Sequence, residues 1–95
     1  YVRFLELCGE LVGTDTGGAR VLGGHLYGPF FAPAAKGCHP KLEFLTPDPA
    51  HDERFLAHAG KGLVTLTVAP ELPGAERLVR DAVARGLLVT CGHSY

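Results

Sequence analysis

The sequence predicts an α/β fold with parallel strands, on three observations. Three short, mostly apolar runs, 20–26, 63–69 and 87–91, have the length and composition of buried strands. A helical pattern precedes each of them. Each run leads into a turn that carries a residue able to bind a metal or move a proton: Tyr27, Glu71 and His93. A helix between consecutive strands returns the chain in parallel, the logic of a doubly wound sheet or a (β/α)8 barrel. A whole barrel takes about 250 residues, so 95 residues cover less than half of one. The expectation is a partial (β/α)8 TIM barrel of about three parallel strands with intervening helices, residues 1–95 forming one fragment of a larger barrel domain. Three strands with open edges leave apolar faces uncovered, so independent folding is not expected. The start at Tyr1 and the absence of methionine also suggest a piece of a longer chain.

The elements follow in order. Phe4, Leu5, Cys8 and Leu11 recur at helical spacing and read as the end of an amphipathic helix. "VGTDTGG" (12–18) is turn material, and 20–26 reads as a strand whose Gly23 and Gly24 allow close backbone approach. Residues 28–49 form a long loop with five prolines, Pro29, Pro33, Pro40, Pro47 and Pro49; a structureless loop of that length is usually functional. A short helix is expected over 52–59 with Phe55 and Leu56 inward, then the strand "LVTLTVA" (63–69), buried on both faces. The clearest helix spans 73–85, with Ala75, Leu78, Val79, Ala82 and Val83 on one stripe. On it Glu76 and Arg80 can pair at i, i+4, and Gly86 can end it in a left-handed conformation. Residues 87–91 read as a third buried strand, running into Gly92-His93-Ser94.

Composition excludes several classes. A formal net charge of −1 argues against a nucleic-acid surface or an anionic membrane surface, either of which calls for basic excess. No stretch is long and apolar enough to span a bilayer, and no signal-peptide pattern is present. Cys8, Cys38 and Cys91 are odd in number and widely spaced, which fits neither a disulfide framework nor a zinc knuckle. Reduced intracellular thiols are the expectation.

Functional residues of parallel α/β folds gather at the carboxyl ends of strands. His93 follows a strand, and a neutral imidazole there can ligate a divalent ion; taken alone it reads first as a hydrogen-bonded or exposed histidine. His25 reads as packed and satisfied. Glu71 reads as a ligand, an acid/base or the cap of the following helix. Lys36 and His39 can hold an anionic substrate, or decorate a solvated loop. Cys38, beside them, has a setting that can lower a thiol pKa but no sign of a nucleophile. His51 and His58 carry no functional expectation.

Three blocks carry a family resemblance. "GGHLYGPFFAPAAKGCHP" (23–40) resembles G-x-H-L-E-G-P-F followed by K-K-G-A-H in the N-acetylglucosamine-6-phosphate deacetylases. "VTLTVAPELPG" (64–74) is similar to their V-T-L-A-P-E strand end, and "VTCGHS" (89–94) to their G-H-S or G-H-T. The blocks occur in the family's order and cover nearly the whole chain. The resemblance implies an amidohydrolase-superfamily barrel, a cytoplasmic enzyme of amino-sugar metabolism hydrolysing N-acetylglucosamine 6-phosphate to glucosamine 6-phosphate and acetate. It implies a divalent metal, zinc first and iron or another ion as alternatives, and a phosphorylated amino-sugar substrate, with homodimers common in the family.

Residue by residue, the resemblance makes His93 a metal ligand and places Cys38 and His39 at the sugar phosphate. The family's glutamate ligand falls on Tyr27, where this sequence departs from the pattern. An unperturbed phenol ionises near pH ~10 and carries no charge to offset a cation. Three outcomes follow: a tyrosinate ligand, substitution by another group such as Glu71, or a metal-poor site in a non-catalytic sugar-phosphate-binding relative. A related amidohydrolase acting on another N-acyl substrate is a further reading. The family's other metal ligands and its catalytic aspartate have no counterpart among these residues, so no catalytic residue is assigned within the chain.

Overall fold

A computed structural model describes residues 1–40 and 43–95. Its elements are α1 (Val2–Leu11), β1 (Gly24–Tyr27), a 3-10 turn (Pro33–Ala35), α2 (Pro49–Leu56), β2 (Leu63–Val68), α3 (Ala75–Ala84) and β3 (Leu88–Cys91). The strands form one parallel sheet in the order β1-β2-β3. This is the predicted α/β order, strands in parallel with a helix returning the chain between them.

The helices pack on one face of the sheet. Leu26, Leu63, Leu66 and Val68 meet Leu5, Phe55, Leu56, Leu78 and Ala82 there in a single buried cluster. Period-two alternation sends the neighbours of these residues to the other face. His25, Tyr27, Thr67 and Thr90 lie on that side, and it has no helix over it. The ladder between β1 and β2 runs Gly24↔Leu63 and then His25↔Thr65, a bulge that leaves Val64 supernumerary. Gly23 makes room for it, since a Cβ there would collide with the Val64 methyls.

Several boundaries differ from expectation. β1 is shorter than 20–26 and shifted towards Tyr27, because residues 20–23 lie outside the ladder and Leu22 is solvent-exposed. α2 begins at Pro49, three residues early, because the Asp48 carboxylate accepts from the Ala50 N–H at 2.8 Å and proline suits the first turn. The 28–49 loop is not structureless: Pro29, Phe30, Phe31 and Ala32 are buried, and the 3-10 turn follows. Residues 41 and 42 of that loop lie outside the described residues. α1 buries Leu5 and Cys8 but leaves Phe4 and Leu11 exposed.

The most instructive difference is β3. It was expected to be buried, yet Leu88 is 64% exposed and Thr90 and Cys91 face solvent. Paired with β2 alone among the described strands, it is an edge strand: Val89 packs against the core cluster, but Leu88 on the open face finds no second layer. α3 holds most closely to expectation, with Ala75, Leu78 and Ala82 buried, Val79 packed against the core, Glu76 and Arg80 paired at 2.8 Å, and Gly86 left-handed, but Val83 of the predicted stripe turns to solvent.

A ring cluster at the carboxyl end of the sheet

β1 ends at Tyr27 and the chain turns at once through Gly28, whose φ of 103° suits glycine. This brings Phe31 beneath the Tyr27 ring, edge to face at 5.2 Å. The Phe30 carbonyl accepts from the Ala69 N–H at 2.8 Å, fastening the loop to the end of β2. β3 ends at Cys91, and the Gly92 N–H donates to the Val68 carbonyl at 3.2 Å. His93 follows with φ 50°, the one left-handed residue other than glycine among those described. Such a conformation is uncommon outside glycine and persists where surrounding contacts over-determine it.

Contacts from two sides supply that constraint. The Ala32 N–H donates to the His93 carbonyl at 3.0 Å. The Ala35 carbonyl lies 2.8 Å from Nδ1; a carbonyl only accepts, so Nδ1 carries the proton and Nε2 the lone pair. The Tyr27 hydroxyl, 3.1 Å from Nε2, donates to it. Phe31 stacks on the imidazole with centroids 4.3 Å apart and planes at 28°. His39 meets the same ring edge-on at 4.9 Å and Tyr27 at 5.6 Å. Tyr27, Phe31, His39 and His93 thus form one cluster from the end of β1 and two loops.

The remaining candidates divide. Cys38 is exposed and unbonded, so of the Cys38–His39 pair only His39 joins the rings. Lys36 turns its ammonium to the Gly37 carbonyl of its own loop at 3.1 Å. His25 is satisfied, its Nε2 2.6 Å from Thr67 Oγ1, but it is exposed on the open face rather than packed in the core. Thr67 Oγ1 continues to Thr90 Oγ1 at 2.7 Å, a polar string across all three strands that sequence reasoning missed. Glu71 neither caps α3, whose N-cap is Gly74, nor reaches the rings. Its two oxygens accept from the Ser94 hydroxyl at 2.6 Å and the Tyr95 N–H at 2.9 Å. Those bonds hold its carboxyl below the usual carboxylate range, the Ser94 bond most of all. Glu71 therefore does not take the place of the missing glutamate.

The donor set fits one side of a divalent-ion site. His93 has the orientation of a ligating imidazole, with Nδ1–H on a backbone carbonyl and Nε2 turned to the Tyr27 hydroxyl. The Tyr27 oxygen is the neighbouring donor. Among the described residues, no group of three or more His, Cys, Asp or Glu converges on one point, so further ligands would have to come from outside this chain.

The architecture and the ring cluster define a strand-end site on a segment of a parallel α/β sheet, a type of site that enzymes place at this end of their strands. Proteins of known name make the class particular. No protein-family model matches the chain. An N-acetylglucosamine-6-phosphate deacetylase of Caenorhabditis elegans is 36% identical over 80 residues, 81% of this chain and 19% of that protein. An N-acetylgalactosamine-6-phosphate deacetylase of Escherichia coli O157:H7 is 36% identical over 77 residues, 81% of this chain and 20% of that protein. The crystal structure of the N-acetyl-D-glucosamine-6-phosphate deacetylase of Mycobacterium smegmatis superposes with a TM-score of 0.77 at 27% identity, covering 96% of this chain and 24% of that one. The resemblance read from the three sequence blocks is thus shown, in sequence and in backbone. The chain spans about a fifth of the length of the curated relatives it matches.

Proposed function

We propose that this chain is part of a longer deacetylase that hydrolyses N-acetylglucosamine 6-phosphate to glucosamine 6-phosphate and acetate. The observation that carries the proposal is the presentation of His93: tautomer set by Ala35, ring held by Phe31, lone pair turned towards Tyr27 at the strand ends. The likeness to deacetylases of phosphorylated amino sugars supplies the substrate class.

A bound divalent ion, zinc by the family resemblance, would acidify a water and polarise the acetamide carbonyl. In the hydrolysis the water oxygen joins the acyl carbon, the C–N bond breaks, and the amine leaves with a proton. In this reading the acid/base comes from outside these residues. His93 Nε2 and the Tyr27 oxygen would hold the ion from this side. Phe31 keeps water from one face of the imidazole and so fixes its direction. In this reading His39, at the edge of the cluster, and the exposed Cys38 beside it would meet the substrate phosphate. We assign the parent enzyme to the cytoplasm, with a homodimer as its assembly; no helix among the described residues is long and apolar enough to cross a membrane.

One observation favours a second reading. The Tyr27 hydroxyl, 3.1 Å from Nε2, covers the lone pair a metal would use, which suits a relative that binds the sugar phosphate without cleaving it. The test is metal content and acetate release from N-acetylglucosamine 6-phosphate on one preparation of the full-length parent, beside Tyr27→Glu. Metal and turnover in the wild type support the deacetylase. Their absence, with both gained by Tyr27→Glu, overturns it in favour of the binding relative.

A further inference from the structure

The β2–α3 turn carries a group that the catalytic reading leaves unused. Residues 69–74 run Ala-Pro-Glu-Leu-Pro-Gly, and the two prolines fix φ on either side of Glu71. Leu72 packs against the core cluster, and its carbonyl accepts from the Ala75 N–H at 3.0 Å. The turn is therefore a stiff base, and little freedom is lost when the Glu71 side chain is held. From this base the carboxylate crosses to the β3 exit and takes Ser94 Oγ–H at 2.6 Å and Tyr95 N–H at 2.9 Å. These are the two residues after His93, whose left-handed φ must be imposed by its neighbours. The loop after β1 secures His93 from one side, through Ala32 and Ala35. On the other side, only Glu71 grips the residues that follow it among those described.

We propose that Glu71 is a positioning residue: its carboxylate locks the Ser94–Tyr95 backbone and so sets the direction in which His93 presents Nε2. Both acceptor oxygens are engaged, and a carboxylate accepting O–H and N–H donors makes stronger bonds than a neutral acceptor would. The effect on catalysis rests on the deacetylase reading; the effect on the imidazole does not.

The experiment uses the full-length parent with nitrogen-15-labelled histidine, comparing wild type, Glu71→Gln, Glu71→Ala and Ser94→Ala. Two quantities are read: the His93 imidazole nitrogen resonances, and kcat and KM for N-acetylglucosamine 6-phosphate. Glu71→Ala is expected to shift and broaden the His93 signals and to lower kcat on the order of tenfold to a hundredfold, the scale of a small misplacement of a reacting group. KM should stay near its wild-type value. Glu71→Gln, which keeps one acceptor oxygen, and Ser94→Ala, which keeps the Tyr95 bond, should fall between. Ser94→Ala also carries the test if Glu71→Ala does not fold. Unchanged His93 signals in the variants overturn the proposal whatever the turnover. Shifted signals in a parent that releases no acetate support it while sinking the deacetylase reading.

Discussion

Phe31 lies flat against His93, centroids 4.3 Å apart, and is itself 2% exposed. One phenylalanine is thus both a buried anchor of the β1 loop and the wall behind the imidazole. Phe31→Ala should cost about 3–5 kcal/mol of stability and free the His93 ring to turn. Phe31→Leu, which fills most of the volume, should cost about 1.5 kcal/mol or less. Urea unfolding of the parent protein measures both, and equal midpoints for the two variants would refute the packing role.

Gly37 tests the opposite edge of the same ring. Its φ is 58°, and a Cβ there would stand 3.1 Å from His93 Cε1. Gly37→Ala should destabilise by about 1–2 kcal/mol through the left-handed backbone, and it should also displace His93. A variant as stable as the wild type, with its histidine resonances in place, would contradict this.

In the helix layer, Asp52 is 1% exposed and accepts from Arg77, joining α2 to α3. The His51 Nδ1 lies 2.9 Å from the other carboxylate oxygen but forms no hydrogen bond with it, so Arg77 is the partner that matters. The pairing also raises the Arg77 pKa, through its hydrogen bond with Asp52 first. Arg77→Ala strands a buried carboxylate. Because the guanidinium is 35% exposed, the expected cost is about 2–3 kcal/mol, below that of a fully buried pair. The double variant Asp52→Leu/Arg77→Met should recover most of it. Denaturant midpoints that place the double variant below Arg77→Ala would count against a buried-charge penalty.

Acid should weaken the fold by a defined route. Glu53, chiefly through its hydrogen bond with Arg85, and Glu71, chiefly through Ser94, titrate below the ordinary carboxylate value of 4.5. The folded state then binds fewer protons than the unfolded one in acid. The contribution of both groups is complete above the unfolded value and disappears as pH falls through the lowered folded values. Melting temperatures of the parent should hold near neutrality and drop below about pH 4.5, less steeply in Glu53→Gln/Glu71→Gln. Identical acid slopes would remove these two carboxylates from the account.

What could be read from the sequence was local. The α3 stripe, its Glu76–Arg80 pair and the left-handed Gly86 follow from spacing within one element, and the structure keeps them except for Val83, which is exposed. The start of α2 is also legible in Asp48-Pro49, a capping residue followed by a first-turn proline, although a proline between other prolines equally suits a loop. The strand ends were found because turn residues interrupt apolar runs; the exposure of β3 was not, because burial depends on what lies beside a strand. Contacts across the chain left no local trace. Glu71 meets Ser94 from 23 positions away and His93 meets Tyr27 from 66, so chemistry alone offered Glu71 three roles, none of which is its grip on Ser94 and Tyr95.

The extra residue in β2 gives the sheet a tolerance in length. A one-residue slip in a regular ladder turns every later side chain over. Here Leu63 and Leu66 already face the helices and Thr65 and Thr67 the open side of the sheet, so exposed Val64 can be removed without changing which way any of them points. Deleting it would straighten the ladder and preserve its phase. Such a position is where a lineage can lose a codon and keep its site.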